Sequence, residues 1–148
     1  MVKFTPSATG PRRAILTITD NSGVCSTCST TQTVNLSGTG TDFSISVSPA
    51  SQTVSPGKVA LFTLTLTPLS GFNGSVTLGC SISGPAWATC TVPAGTVTLS
   101  GSAQKHIAVS VNPKKGTYML TFSATYTPAP PASGPPLPHS ITAKLISK

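Results

Sequence analysis

Side chains able to do acid, base, nucleophilic or metal chemistry are few in this chain of 148 residues. There is no glutamate, and the two aspartates, Asp20 and Asp42, lie in connecting positions. General acid–base catalysis needs a tuned carboxylate or an oriented histidine, and His106 and His139 have no carboxylate near them in sequence. A calcium site needs several oxygen ligands, usually with carboxylates among them. We therefore predict a protein that is not an enzyme and has no catalytic residues, no metal site and no cofactor.

Cys80 and Cys90 both fall on the apolar side of alternating segments, in two successive strands joined by a turn at Gly84-Pro85. They are interpreted as a disulfide, with free core thiols or half of a metal site as the alternatives. Low charge, abundant Ser and Thr and an even number of cysteines favour an exported protein, in which disulfides persist.

Cys25 and Cys28 have the CxxC spacing of redox motifs, zinc half-sites and small disulfide loops. The pair follows a strand and does not open a helix, so it lacks the helix N-terminus that lowers the pKa of a catalytic thiol. Zinc would need two further ligands. We predict a disulfide at the tip of a hairpin between Asp20 and Thr33, and the redox and metal roles remain as alternatives.

The net charge of +7 reflects missing acids more than basic clustering. Only Arg12-Arg13 and Lys114-Lys115 are adjacent basic pairs, and neither is interleaved with aromatic residues that would stack on bases. We predict no specific nucleic-acid partner. No apolar run approaches the ~20 residues needed to cross a bilayer, so no membrane span is expected.

Apolar and polar residues alternate from Asp42 onward in short segments separated by turns, without a sustained helical period. Strands with one apolar face each must bury those faces against one another, which a two-sheet sandwich allows. The predicted fold is an all-β antiparallel sandwich of seven to eight strands. The apolar faces are Phe43, Ile45, Val47; Ala60, Phe62, Leu64, Leu66; Val76, Leu78, Cys80, Ile82; Ala88, Cys90, Val92; Val97, Leu99; Ile107, Val109, Val111; Tyr118, Leu120, Phe122, Ala124, Tyr126; and Ile141, Ala143, Leu145.

Residues 1–40 contain only three short apolar segments, too few to close a sandwich. We predict two domains, a partial β domain at 1–40 and a sandwich at 42–148, separated by the linker Gly38-Thr39-Gly40-Thr41. Residues 1–40 are expected to expose a sheet edge, through which the chain self-associates or which stays mobile.

Two resemblances refine this prediction. Phe4-Thr5-Pro6, residues 14–21 and residues 36–40 resemble the closing strands of the ASH (abnormal-spindle, SPD-2 and hydin) type of immunoglobulin-like domain, although the front half is missing and a Cys-Ser-Thr-Cys insertion is present. Residues 43–147 are similar to tandem immunoglobulin-like repeats of large secreted bacterial proteins. That similarity lies in residues 43–49, 54–57, 71–78, 88–90 and 116–118, together with Cys80.

The resemblances imply a non-catalytic spacer, stalk or adhesive module of a larger secreted or cell-surface bacterial protein, whose export signal is not within this chain. Implied partners are neighbouring domains of the parent protein, and glycans or surface proteins. The alternatives are a carbohydrate-binding module and an intracellular, partner-binding domain of the ASH type.

Trp87 and Phe72 are the two candidate ligand contacts. Trp87 lies between the paired cysteines, where its ring would either cover the disulfide or stack on a sugar. Phe72 has the same two interpretations, and for both residues we favour packing. The proline-rich segment 127–139 is predicted to be a loop with polyproline II character, and docking of residues 135–138 on a partner is the alternative.

Overall fold

A computed structural model describes residues 2–6, 8–20, 30–85, 87–93, 95–128 and 136–148. Cys25, Cys28 and most of the proline-rich segment lie outside the described residues. The chain forms two compact units, Met1–Thr41 and Asp42–Lys148. Both are built from strands, and the described residues contain no helix.

The second unit is a sandwich of two sheets. One sheet has the strand order β4-β11-β10-β6-β8 and the other has the order β3-β5-β9-β7. All neighbouring strands are antiparallel except β4 and β11, which are parallel. In chain order the strands are β1 (Gly10–Asp20) and β2 (Thr30–Gly40) in the first unit, then β3 (Asp42–Ser48), β4 (Ser51–Val54), β5 (Ala60–Leu69), β6 (Gly74–Ser83), β7 (Ala88–Thr91), β8 (Thr96–Leu99), β9 (Lys105–Pro113), β10 (Gly116–Tyr126) and β11 (Leu137–Ser147).

The predicted fold class, an all-β sandwich, is confirmed. The structure adds β4, which the alternation did not predict because Ser51-Gln52-Thr53-Val54 carries only one apolar side chain. It also begins the last strand at Leu137. Residues 137–139 of the predicted proline-rich loop are therefore part of a strand.

The core of the second unit follows the two-residue period of its strands. In β5, alternate residues from Ala60 to Leu66 are buried, while Leu61 and Thr63 face outward. In β10, which lies in the other sheet, alternate residues from Tyr118 to Ala124 are buried in the same way. These inner faces meet in one core that contains Phe43, Phe62, Leu64, Leu66, Phe72, Val76, Leu99, Val109, Val111, Tyr118, Leu120, Phe122 and Leu145.

The first unit is a hairpin in which β1 and β2 pair along their full length, from Gly10 opposite Gly40 to Asp20 opposite Thr30. It is a two-stranded sheet, and among the described residues no third strand pairs with either edge. A two-stranded sheet buries little apolar surface. Ile18 and Val34 accordingly remain 49% and 47% exposed.

Deletion of residues 1–41 is expected to change the melting temperature of the sandwich by less than about 3 °C, because the core of the second unit is complete within Asp42–Lys148. Differential scanning calorimetry of the full chain and of 42–148 measures the difference. Sedimentation of the two proteins over a concentration series tests the self-association predicted for residues 1–40. A large loss of stability on deletion would mean that the two units share a core.

Candidate functional site

The loop between β6 and β7 is enclosed by a disulfide between Cys80 and Cys90, whose Cα atoms are 6.2 Å apart. β6 and β7 belong to different sheets, so the bridge joins the two layers of the sandwich covalently. Cys80 lies opposite Phe122 in the ladder of β6 with β10, and Cys90 lies opposite Val111 in the ladder of β7 with β9. Both sulfur-bearing side chains are partly buried and pack against the core.

Trp87 is the most exposed large apolar residue of the described chain, with 85% of its surface accessible. The prediction that its ring covers the disulfide is therefore wrong. The disulfide packs against the core without help from the indole. In the loop that connects β6 to β7, the indole faces solvent. Beside the ring is an open groove of about 470 Å³, lined by Ile82, Gly84, Pro85, Trp87 and Ala88.

The first half of this loop is held against the turn that begins β10. Gly84 lies so close to the ring of Tyr118 that a Cβ atom on it would collide with the ring. The hydroxyl of Tyr118 donates a 3.0 Å hydrogen bond to the carbonyl of Lys114, and Pro85 lies so near Gly116 that a Cβ atom there would be 3.0 Å from its ring. Trp87 is thus an exposed side chain on a loop whose base is fixed by a disulfide, a buried tyrosine and a proline.

Phe72 is buried, with 1% of its surface accessible. Its ring centroid lies 5.2 Å from that of Phe43 and 5.0 Å from that of Tyr126. The ring therefore belongs to the core at one end of the sandwich, and a ligand cannot reach it without rearrangement. Of the two predicted ligand contacts, only Trp87 is accessible, and the structure does not bring the two together.

The structure gives His139 a carboxylate partner that sequence distance concealed. Its Nε2 lies 2.8 Å from Oδ1 of Asp42, although the two residues are 97 positions apart. The same carboxylate oxygen accepts a hydrogen bond from the backbone N–H of Phe43, and the imidazole packs edge-on against the Phe43 ring. The pair fastens the start of β3 to the start of β11, and this polar contact between the sheets is one that the sequence analysis missed.

No metal-binding constellation is formed within the described part of the chain. Its residues include no group of three or more His, Cys, Asp or Glu side chains placed to hold a metal ion. Nδ1 of His106 shares a 3.0 Å hydrogen bond with the hydroxyl of Thr65. The predicted Cys25–Cys28 bridge lies outside the described residues and stays a prediction.

No protein-family model matches the chain, and no curated protein matches it. Among solved structures, the chain is similar to the crystal structure of the S-layer protein SbsC domains 4 and 5, with a TM-score of 0.45 and 19% sequence identity. The similarity covers 78% of this chain and 58% of that one. The assignment to the all-β sandwiches rests on the strand order and core of this chain.

Among the described residues, no helix has the length and apolarity that a membrane crossing requires.

Proposed function

We propose that this chain is a non-catalytic spacer of a larger secreted or cell-surface bacterial protein. In this proposal, residues 42–148 are an immunoglobulin-like repeat and residues 1–40 are the closing part of an ASH-like domain. The repeat holds its neighbouring domains apart and remains folded under tension.

The strand order supports the immunoglobulin-like assignment. The sheet β3-β5-β9-β7 corresponds to strands A, B, E and D of that fold, and β6, β10 and β11 correspond to C, F and G. Tyr118, near the start of β10, donates back to the carbonyl of Lys114, which is the arrangement of the tyrosine corner. Where antibody domains have a disulfide between strands B and F, this chain has the Phe62–Phe122 ring pair, and its covalent bridge joins β6 to β7 instead.

The observation that carries the spacer proposal is that Asp42 and Ser147 lie at opposite ends of the sandwich. Asp42 contacts His139 near the start of β11, and Ser147 is the last residue of the same strand. The eight residue steps from His139 to Ser147 span roughly 26 Å at the usual rise of a strand. A chain that comes in at one end and leaves at the other places its neighbours in line.

The same geometry loads the terminal strands in shear. β3 and β4 run from the Asp42 end toward the Ser147 end, and β4 lies parallel to β11 with Ser51 opposite Lys144 and Val54 opposite Ser147. Tension applied at the two ends would pull β4 and β11 in opposite directions along their axes. The hydrogen bonds between them lie across the force and break together, whereas bonds in a peeled hairpin break one at a time.

Single-molecule pulling through residues 42 and 148 tests the proposal. We expect one cooperative unfolding event per sandwich, and we expect Lys144→Pro to lower its force because it removes the N–H that donates to the carbonyl of Ala50 at 3.0 Å. Lys144→Ala keeps that donor and is the matched control. A sandwich that extends without a force peak, or one in which both variants behave alike, would contradict the spacer role.

A further inference from the structure

Three turns that are distant in sequence meet at the Ser147 end of the sandwich. The ladder of β7 with β9 ends at the pair Ala88–Pro113, so Trp87 and Lys114 each lie one residue beyond it. The turn between β4 and β5 joins them, because the N–H of Gly57 donates a 3.0 Å hydrogen bond to the carbonyl of Pro113. These contacts place Trp87 beside two basic turns.

Two of the three turns, the one between β4 and β5 and the one between β9 and β10, bring positive charge to the surface. Lys58, Lys114 and Lys115 are all exposed, and within the described residues none of them forms a salt bridge with a carboxylate. Asp42, the only acidic side chain of the second unit, is at the opposite end, paired with His139. We call the surface formed by Lys58, Trp87, Lys114 and Lys115 the basic end. It is a local cluster, contrary to the prediction from sequence that the charge excess is unclustered.

The groove at Trp87 adds an exposed aromatic ring to this charge. Its lining includes Ile82, Pro85 and the indole of Trp87, and no side chain in it is charged. A flat, rigid, exposed aromatic ring beside a short apolar wall suits the C–H face of a pyranose. The ammonium groups of the two neighbouring basic turns suit a carboxylate on the same or the next sugar.

We propose that the basic end binds an acidic polysaccharide, with Trp87 stacked on a sugar ring and Lys114 and Lys115 facing its carboxylates. This inference goes beyond the spacer role and does not depend on it, because the lysine and tryptophan side chains concerned do not hold the sandwich together.

Two observations favour a polysaccharide over a nucleic acid. Proteins that bind single strands stack successive bases on several aromatic rings, whereas the groove contains one. The Cys80–Cys90 disulfide is also typical of oxidising compartments, in which surface polysaccharides are found.

The test is titration of the full chain with polygalacturonate, followed by the fluorescence of Trp87, which is the only tryptophan. We expect binding at an ionic strength of about 10 mM that weakens toward about 150 mM as the charges are screened. Trp87→Ala should reduce the affinity about tenfold, and calorimetry measures the affinity of this variant. Lys114→Ala combined with Lys115→Ala should reduce it about fivefold.

Matched variants separate a local site from general attraction to a basic protein. Arg12→Ala combined with Arg13→Ala removes the same two charges from the first unit and is expected to leave the affinity unchanged. Unaltered melting temperatures show that every variant is folded. Equal loss in the arginine variant, equal binding to neutral galactan, or tighter binding to single-stranded DNA through the same residues would each overturn the proposal, as would no binding at low ionic strength.

Discussion

Replacing Cys80 and Cys90 together by alanine is expected to lower the free energy of unfolding of the sandwich by about 3 kcal/mol. The bridge closes a short loop, and in the chain-entropy model it stabilises the fold by restricting the unfolded chain. The bridge also joins the two sheets, so in the folded double variant only noncovalent contacts hold the layers together at this edge. The melting temperature should fall by roughly 15 °C for a unit of this size.

Calorimetry of the native chain and of the double variant, each with and without reductant, checks this expectation. Reductant should lower the melting temperature of the native sandwich to about that of the double variant and should leave the variant unchanged. Cys25→Ala with Cys28→Ala is the matched control, since those cysteines belong to the first unit and their loss should leave the melting of the sandwich unaffected. An unchanged melt in the Cys80–Cys90 variant would show that the bridge contributes nothing to stability.

Alkylation without reductant, followed by mass spectrometry, uses the same cysteines to test whether the protein is exported or intracellular. An exported protein should carry no label on Cys80 or Cys90. Four labelled cysteines would favour the intracellular, partner-binding alternative of the ASH type.

The predictable part of this fold comes from the two-residue period of its apolar side chains. In β5 and β10 every second residue is apolar and buried, so the number of layers and the composition of the core follow from the pattern. β4 lacked that signal because it is held by backbone pairing with β11. Hydrogen bonds of the backbone carry no side-chain signature, and an edge strand of four residues buries little.

The candidate site was less predictable because its residues are distant in sequence and become neighbours only through the arrangement of the strands. Asp42 and His139 become neighbours when β11 returns to the end of the sandwich where β3 begins. The turn that carries Lys58 approaches Pro113 through one backbone hydrogen bond, which the N–H of Gly57 donates. Trp87 was recognised from its place between two cysteines, but its exposure depends on the path of a loop, which periodicity does not determine.

Phe122→Ala is expected to cost about 4 kcal/mol, a large fraction of the stability of a small domain. The Phe122 side chain is fully buried in β10, and its ring centroid lies 5.9 Å from that of Phe62 in β5, across the interface between the two sheets. Removing the ring leaves a cavity that both sheets line, and strands held by their ladders can close it only in part. Leu61→Ala, on the exposed face of β5, is the control and should cost less than about 0.5 kcal/mol.

Urea denaturation with the disulfide intact measures both changes. If Phe122→Ala does not fold, Phe122→Leu and Phe62→Leu, separately and combined, give the same information at lower cost to stability. We expect a coupling free energy of about 1 kcal/mol between the two positions, because edge-on and tilted aromatic pairs contribute beyond the area they bury. Strictly additive losses would show that the two rings fill space independently and that their contact contributes nothing beyond the area each ring buries.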